Sequence, residues 1–188
     1  MKKKAIFLDR DGTLIIDKIY LNDPDAIDYL PGAFEALRGF RDAGYQLVIV
    51  TNQSGVARGL VSIKNLNEVH RRIGEEFARH GVFFAGFYYA PFSVESNHFM
   101  RKPNPGMLLA AAQDHQLDLT RSWMIGDRVT DVEAGHRAGC RSILIEGTVS
   151  KESFITAPPA AVVSDLIGAL SYIQPETSVA ALRAGASR

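Results

Sequence analysis

The feature that most constrains the fold is a series of short apolar runs that show no polar alternation. The clearest lie at residues 5–8, 46–50, 86–90, 122–125 and 141–145, with a weaker one at 161–163. A strand that is apolar at every position is buried on both faces, as strands of parallel sheets are. The runs therefore predict a mainly parallel sheet that is covered on both sides.

Helical patterns occupy the intervals between these runs. Apolar spacing and terminal signals predict five helices: from about residue 34 to a stop at 43–44, from about 66 to an end near 80–81, and over 105–116, 131–138 and 165–173. Strands that alternate with helices are typical of a doubly wound α/β fold of the Rossmann-like kind. We expect one domain over residues 1–175, a long loop at 91–105, and a frayed or disordered tail at 176–188.

Composition excludes several classes of partner. Lys+Arg and Asp+Glu number 21 each, so the formal net charge is zero and no electrostatic footprint for nucleic acid or an anionic membrane exists. Cys140 is the single cysteine, which rules out an internal disulfide. No apolar stretch approaches the ~18 residues of a membrane span. We expect a cytoplasmic monomer with no nucleic-acid or membrane partner.

Polar side chains follow four of the predicted strands. These segments are residues 9–13, 51–55, 101–103 and 126–131. In an open parallel sheet, ligands bind beyond the carboxyl ends of the strands. The four segments should therefore converge on one site.

The carboxylates in these segments favour a magnesium site. Asp9 and Asp11 are brought to one place by a turn at Gly12, and Asp127 adds a third carboxylate. Anions held together need a cation, and oxygen ligands suit Mg²⁺. The alternative is that Asp9 and Asp11 only cap a turn, but the other strand-end motifs disfavour it.

The next two segments are suited to a phosphate. Residues 51–55 supply hydroxyl, amide and backbone N–H groups near a helix start, and Lys102 adds a positive charge. Simple capping by Thr51 or Ser54, and a solvated surface role for Lys102, are the alternatives. The position of Lys102 in the ordered series of strand-end segments favours a functional role.

Together the four motifs resemble those of the haloacid dehalogenase superfamily. Within it, the chain is similar to the D-glycero-D-manno-heptose 1,7-bisphosphate 7-phosphatase family and to its sister histidinol-phosphate phosphatases. The matching stretches are FLDRDGT at 7–13, VTNQSGVARG at 50–59, RKPNPGM at 101–107 and MIGD at 124–127. The resemblance implies a phosphoric monoester hydrolase of carbohydrate metabolism, in nucleotide-activated heptose synthesis for lipopolysaccharide or capsule.

The resemblance also implies roles for individual residues. Asp9 would be the nucleophile that becomes phosphorylated, and Asp11 the general acid and base. Mg²⁺ would be held by the side chains of Asp9 and Asp127 and by the backbone carbonyl of Asp11, with Asp131 outside the ligand set. Thr51 and Lys102 would hold the phosphoryl oxygens. Matching positions implied to contact substrate are Asp17, Lys18, Ile19, Tyr20, Asn52, Gln53, Ser54, Arg58, Arg101 and Arg128.

One departure from the family concerns zinc. The family commonly binds zinc in the loop before the arginine–lysine pair, through three cysteines and one histidine. Here Ala90, Phe92, His98 and Met100 stand at those positions, and His98 alone cannot hold structural zinc. The resemblance therefore implies Mg²⁺ and no zinc, with the loop ordered by packing of Phe92, Phe99 and Met100.

Short connections after the first two motifs leave little sequence for a cap domain, so we expect an open site. A heptose bisphosphate is the preferred substrate, and histidinol phosphate or another small sugar phosphate is the alternative. Neutral charge disfavours the related DNA 3′-phosphatases. A non-catalytic module that binds a phosphorylated sugar is a further alternative, which the retention of Asp11 disfavours.

Overall fold

Six parallel strands form a single sheet in the computed structural model, which describes residues 2–146 and 156–174. The strands are β1 (Ala5–Leu8), β2 (Gln46–Asn52), β3 (Phe84–Ala90), β4 (Trp123–Gly126), β5 (Arg141–Ile145) and β6 (Ala161–Val163). Their order is β3-β2-β1-β4-β5-β6, and every neighbouring pair is parallel. This confirms the predicted doubly wound sheet and its Rossmann-like order.

Helices cover both faces of the sheet. They are α1 (Ala33–Asp42), α2 (Ser54–Ala57), α3 (Ile63–Arg79), α4 (Gly106–Asp114), α5 (Val129–Ala138) and α6 (Leu166–Ile173). Ile6 and Leu8 belong to the apolar core beneath α1, α3 and α6, whereas Ala5 and Phe7 belong to the core beneath α4 and α5. Burial of alternate residues on opposite faces explains why the strand sequences lack polar alternation.

Several helix boundaries differ from the sequence prediction, and two of the differences have a clear local cause. Helix α5 begins at Val129, because Asp131 lies inside its first turn and accepts a hydrogen bond from the Arg128 amide (3.0 Å) in a capping box. Helix α4 ends at Asp114, and Gln116 beyond it has a positive φ of 54°. Both differences arise from local backbone geometry, which the spacing of apolar residues does not predict.

Strand order reverses between β1 and β4, which are neighbours although two strands separate them in sequence. In open α/β sheets this reversal opens a crevice at the carboxyl ends, where ligands bind. Asp9 follows β1 and Asp127 follows β4, so two of the predicted site residues lie at the crevice.

The connections above the crevice are short. Between β1 and α1 the structure has one short 3₁₀ helix (Pro24–Ala26), and between β2 and α3 it has only α2. The described residues thus include no cap domain. No helix in residues 2–146 or 156–174 is long and apolar enough to span a membrane. The predicted tail at 176–188 lies outside the described residues.

Candidate active site

A cleft of about 510 Å³ lies at the carboxyl ends of the strands. All four polar segments contribute to it, as the sequence predicts. It is lined by Asp9, Asp11, Asp17, Ile19, Tyr20, Thr51, Asn52, Ser54, Arg101, Lys102, Asp127, Arg128, Val129, Thr130 and Asp131.

Lys102 is the buried cation of the cleft. Its Nζ lies 2.8 Å from Oδ1 of Asp9 and 2.6 Å from Oδ1 of Asp131, and it donates to the carbonyl of Val50 (2.7 Å). Burial acts to lower the pKa of Lys102, but Asp131 and Asp9 outweigh burial and raise the pKa. Lys102 is therefore a fixed positive charge beside Asp9, not a solvated surface lysine.

Asp127 completes a group of three buried carboxylates. One oxygen each from Asp9, Asp127 and Asp131 lies within 4.8 Å of the others. Burial, together with Asp9 and Asp131, raises the pKa of Asp127 to about 7. Among the residues that the structure describes, no hydrogen-bond donor contacts Oδ1 of Asp127. A buried carboxylate with one unpartnered oxygen, beside two other carboxylates, fits a divalent cation with oxygen ligands.

Gly12 is required next to this group. Its φ is +78°, and a Cβ at this position would lie 2.3 Å from Oδ2 of Asp127. Only glycine combines that backbone conformation with so close an approach. The turn brings Asp11 to the cleft beside Asp9, as the sequence predicts.

Asp11 is held by side chains from two other positions. Nη2 of Arg10 donates to both carboxylate oxygens (2.8 and 2.9 Å), and Nε2 of Gln53 donates to Oδ2 (2.9 Å). Burial raises the pKa of Asp11, while Arg10 opposes the rise. A raised pKa suits a carboxyl group that gives up a proton and later takes one back.

The segment after β2 serves both the cleft and the loop that carries Lys102. The side chain of Asn52 donates to the Lys102 carbonyl and accepts from the Lys102 amide (3.0 Å each). Gln53 donates to Oγ1 of Thr51 (2.9 Å). Asn52 and Gln53 thus orient Lys102, Thr51 and Asp11, and Thr51 faces the cleft.

Predicted substrate residues divide into two groups. Those that line the cleft are Asp17, Ile19, Tyr20, Asn52, Ser54, Arg101 and Arg128. Lys18 instead pairs with Asp28 (2.6 Å), Arg58 donates to the Tyr20 hydroxyl (3.0 Å), and Gln53 is buried behind Thr51. None of these three lines the cleft, so their substrate contacts stay predictions.

Sequence reasoning missed several residues at or behind the site. Val129 and Thr130 line the cleft because α5 starts earlier than predicted. Arg10 and His70 lie behind Asp11, with Nη1 of Arg10 and Nε2 of His70 3.1 Å apart. His70 shares the apolar face of α3, so its spacing resembles that of a core residue and carries no functional signal.

The loop at 91–105 is ordered by side chains. The rings of Phe92 and His98 stack with centroids 3.5 Å apart, and Nδ1 of His98 accepts from the Met100 amide (3.1 Å). Phe92 and Met100 pack against the core beneath α4, as predicted. Phe99 does not: its side chain is exposed, so its predicted packing role is wrong, and its backbone carbonyl instead accepts from the Gly106 amide (3.1 Å).

The fold and the site together define a phosphatase of the haloacid dehalogenase class: a buried carboxylate directly after the first strand, a second carboxyl group two residues on, a buried lysine and a group of three carboxylates lie at the end of a parallel sheet. The HAD-hydrolase-like family matches residues 99–169.

Relatives narrow the class to a family. The D-glycero-beta-D-manno-heptose-1,7-bisphosphate 7-phosphatase of Pasteurella multocida (strain Pm70) is 41% identical over 152 residues, which cover 78% of this chain and 83% of that one. The enzyme of the same name from Helicobacter pylori (strain 26695) is 38% identical over 143 residues, covering 76% and 83%. The chain belongs to the D-glycero-D-manno-heptose-1,7-bisphosphate 7-phosphatase family, and it is a phosphoric monoester hydrolase.

A solved structure supports the assignment of the chain to this family. The D,D-heptose 1,7-bisphosphate phosphatase from B. bronchiseptica, complexed with magnesium and phosphate, superposes with a TM-score of 0.79 at 29% identity. The superposition covers 92% of this chain and 99% of that one.

Proposed function

We propose that this chain is a Mg²⁺-dependent phosphatase that removes the 7-phosphate of a D-glycero-D-manno-heptose 1,7-bisphosphate through an aspartyl-phosphate on Asp9. The observation that carries the proposal is the grouping of Asp9, Asp11, Thr51 and Lys102 around one cleft. Family membership supports the substrate, because the relatives named above are heptose bisphosphate phosphatases.

Two displacements at phosphorus make up the reaction. A carboxylate oxygen of Asp9 attacks the phosphorus, the bond from phosphorus to the ester oxygen breaks, and Asp11 gives its proton to the departing alkoxide. Asp11, now a carboxylate, takes a proton from water as the water oxygen attacks the same phosphorus. The bond to Asp9 breaks, inorganic phosphate leaves, and both carboxyl groups return to their starting states.

Positive charge and hydrogen-bond donors stabilise the transferring group. Lys102 and the hydroxyl of Thr51 hold the phosphoryl oxygens, where negative charge is spread in the transition state. The side chains of Asp9 and Asp127 and the backbone carbonyl of Asp11 would hold Mg²⁺. When bound, Mg²⁺ supplies further positive charge to these oxygens.

Three arginines near the rim of the cleft, Arg58, Arg101 and Arg128, favour a bisphosphate and are called the arginine group here. Burial lowers the pKa of Arg101, and the nearby charges of Arg58 and Arg128 lower it further, although Glu95 opposes them. Cations that repel one another beside an open cleft are stabilised by an anion, and guanidinium groups bind phosphate in bidentate fashion. A second phosphate on the substrate meets this requirement.

The proposal includes a cytoplasmic monomer with no zinc and no nucleic-acid or membrane partner. Histidinol phosphate is the nearest alternative substrate, because the sister family shares the four motifs. It carries one phosphate, so it leaves the arginine group unused. A non-catalytic phosphosugar-binding module is less favoured, since binding alone has no need of Asp11.

A phosphate-release assay tests the proposal. Purified protein with Mg²⁺ is offered the α and β anomers of heptose 1,7-bisphosphate, histidinol phosphate and simple sugar phosphates. We expect the highest kcat/KM on a heptose bisphosphate, and no turnover by Asp9→Asn at an unchanged melting temperature. Turnover by Asp9→Asn contradicts the mechanism, and a preference for histidinol phosphate contradicts only the substrate.

A further inference from the structure

Arg10 connects Asp11 to the interior of the protein. Its side chain is 1% exposed although it carries a full charge. One edge of the guanidinium faces Asp11, with Nε 3.1 Å from Oδ1 and Nη2 2.8 Å from Oδ2. The remaining nitrogen, Nη1, faces Nε2 of His70 at 3.1 Å. A buried guanidinium with partners on both sides is fixed in position.

His70 is in turn held by packing. Its ring lies against Phe87 and Tyr89 of β3, with ring centroids 5.3 and 5.6 Å away. Burial, together with the charge of Arg10, lowers the pKa of His70 to about 3, so the ring is neutral at physiological pH. Nε2 of the neutral ring therefore accepts the hydrogen bond that Nη1 of Arg10 donates.

We infer that Arg10 and His70 are positioning residues for the general acid and base, with His70 fixing the guanidinium and Arg10 fixing the carboxyl group of Asp11. The inference rests on the proposed function of Asp11. A carboxyl group that first gives a proton to an alkoxide and then accepts one from water must reach both oxygens within hydrogen-bond distance. The contacts that run from β3 through His70 and Arg10 hold the carboxyl group of Asp11 in a fixed position relative to the sheet.

Leaving-group dependence separates this role from a structural one. An alkoxide needs a proton as it departs, whereas p-nitrophenolate leaves without one. We expect His70→Phe, which keeps a packed ring but removes the acceptor, to lower kcat/KM for heptose 1,7-bisphosphate at least about tenfold more than kcat/KM for p-nitrophenyl phosphate. The ratio of the two values is independent of the fraction of protein that is folded, because both are measured on one preparation.

The same variant should affect the second step. Asp11 that is poorly placed as a base leaves the aspartyl-phosphate on Asp9 to accumulate. Rapid mixing of His70→Phe with p-nitrophenyl phosphate should then show a burst of p-nitrophenolate followed by a slower steady state. His70→Gln, whose carbonyl oxygen can accept from Arg10, should restore the substrate ratio to within about threefold of the original and diminish the burst.

Three further variants distinguish the possible outcomes. Phe77→Leu removes packing two turns along α3, and should lower the melting temperature without changing the ratio. Arg10→Lys keeps the charge, loses the two-sided guanidinium, and should change the ratio as His70→Phe does. Equal losses on both substrates in His70→Phe and Arg10→Lys overturn the inference. Asp11→Asn should give the largest change in the ratio, and its failure to do so contradicts the proposed function of Asp11 itself.

Discussion

At the scale of single residues, the centre of the cleft carries more negative charge than it can neutralise. Lys102 pairs with Asp9 and Asp131, whereas Asp127 forms no salt bridge among the described residues, although the charge of Arg128 acts to lower its pKa. Three buried carboxylates beside one ammonium group are destabilising unless another cation binds. We therefore expect metal binding at this site to depend on pH and to affect protein stability.

The first prediction concerns Asp127. Its pKa is about 7 in the folded chain, against the usual 3.8, so between these values the folded protein binds more protons than the unfolded one. This group's contribution to stability is therefore lost as the pH rises through that range. We expect Mg²⁺ to raise the melting temperature more at pH 8 than at pH 6.

Asp127→Asn provides the check. It should raise the melting temperature of the metal-free protein at pH 8 and remove most of the Mg²⁺-induced rise. The control variant Asp42→Asn, on the exposed surface of α1, should change neither the melting temperature of the metal-free protein nor the rise that Mg²⁺ induces. A Mg²⁺ effect of full size in Asp127→Asn would mean that the cation binds elsewhere.

The second prediction concerns Arg101. It lines the cleft and donates to the carbonyl of Phe92 (3.1 Å). A charge-assisted hydrogen bond contributes about 1.5–3 kcal/mol, so we expect Arg101→Ala to lower kcat/KM for heptose 1,7-bisphosphate by about one to two orders of magnitude. Heptose 7-phosphate, which lacks the second phosphate, should lose far less. Equal losses on both substrates would assign Arg101 to the reacting phosphate or to the loop.

At the scale of elements, the loop at 91–105 carries Arg101 and Lys102 to the cleft. Asn104 lies at the centre of its hydrogen bonds. Nδ2 donates to the carbonyls of Asn97 and His98 (3.3 and 3.2 Å), and Oδ1 accepts from Arg137 of α5 (3.2 Å). The side chain of Asn104, near the C-terminal end of the loop, thus joins the middle of the loop to a helix of the core.

The third prediction is that Asn104→Ala loosens this loop. Lys102 would lose its fixed place beside Asp9, so kcat/KM should fall about tenfold or more on every phosphate ester, with a modest drop in melting temperature. Ser96→Ala should have little effect, although it removes two hydrogen bonds at the exposed side of the loop: Oγ donates to the Ser93 carbonyl (2.7 Å) and accepts from the His98 amide (3.4 Å).

Added zinc should restore neither the kcat/KM nor the melting temperature of Asn104→Ala. Elemental analysis of the unmodified protein should find no stoichiometric zinc. One tightly held zinc per chain would contradict the interpretation of Ala90, Phe92, His98 and Met100.

At the scale of the whole molecule, the described strands form one sheet and the helices pack against it, so all of them should unfold together. Helix α6 is part of this unit, because Leu166, Ala169 and Leu170 are buried in the same core as β1 and α1. The proposed domain of residues 1–175 therefore includes α6 as its last element.

The fourth prediction separates the domain from the tail. A chain that stops after Gln174 should keep its activity and melt within about 2 °C of the full chain, because the core described above is unchanged. A chain that stops after Val163 loses the buried residues of α6 and should fail to fold. Loss of folding in the first truncation would place part of the core in residues 175–188.

The sequence by itself determined the sheet, the approximate positions of the helices, and the polar side chains that meet at the carboxyl ends of the strands. Apolar runs without alternation indicate strands that are buried on both faces. The polar segments after these strands indicate the carboxyl edge of the sheet, so a shared location for Asp9, Asp11, Thr51, Lys102 and Asp127 was predictable from local pattern. These signals are readable because they lie within a few residues of each strand.

Only the tertiary structure decided how those residues are held. His70 is 60 residues from Arg10 in the chain, Lys102 is 50 from Asn52, and Asp17 is 111 from Arg128, with which it pairs at 2.8 Å. Each contact forms because the strand order brings distant segments to one edge, and periodicity within an element carries no information about such pairing. A buried histidine on an apolar helical face looks like core until the packing of α3 against β3 and Arg10 gives it a partner.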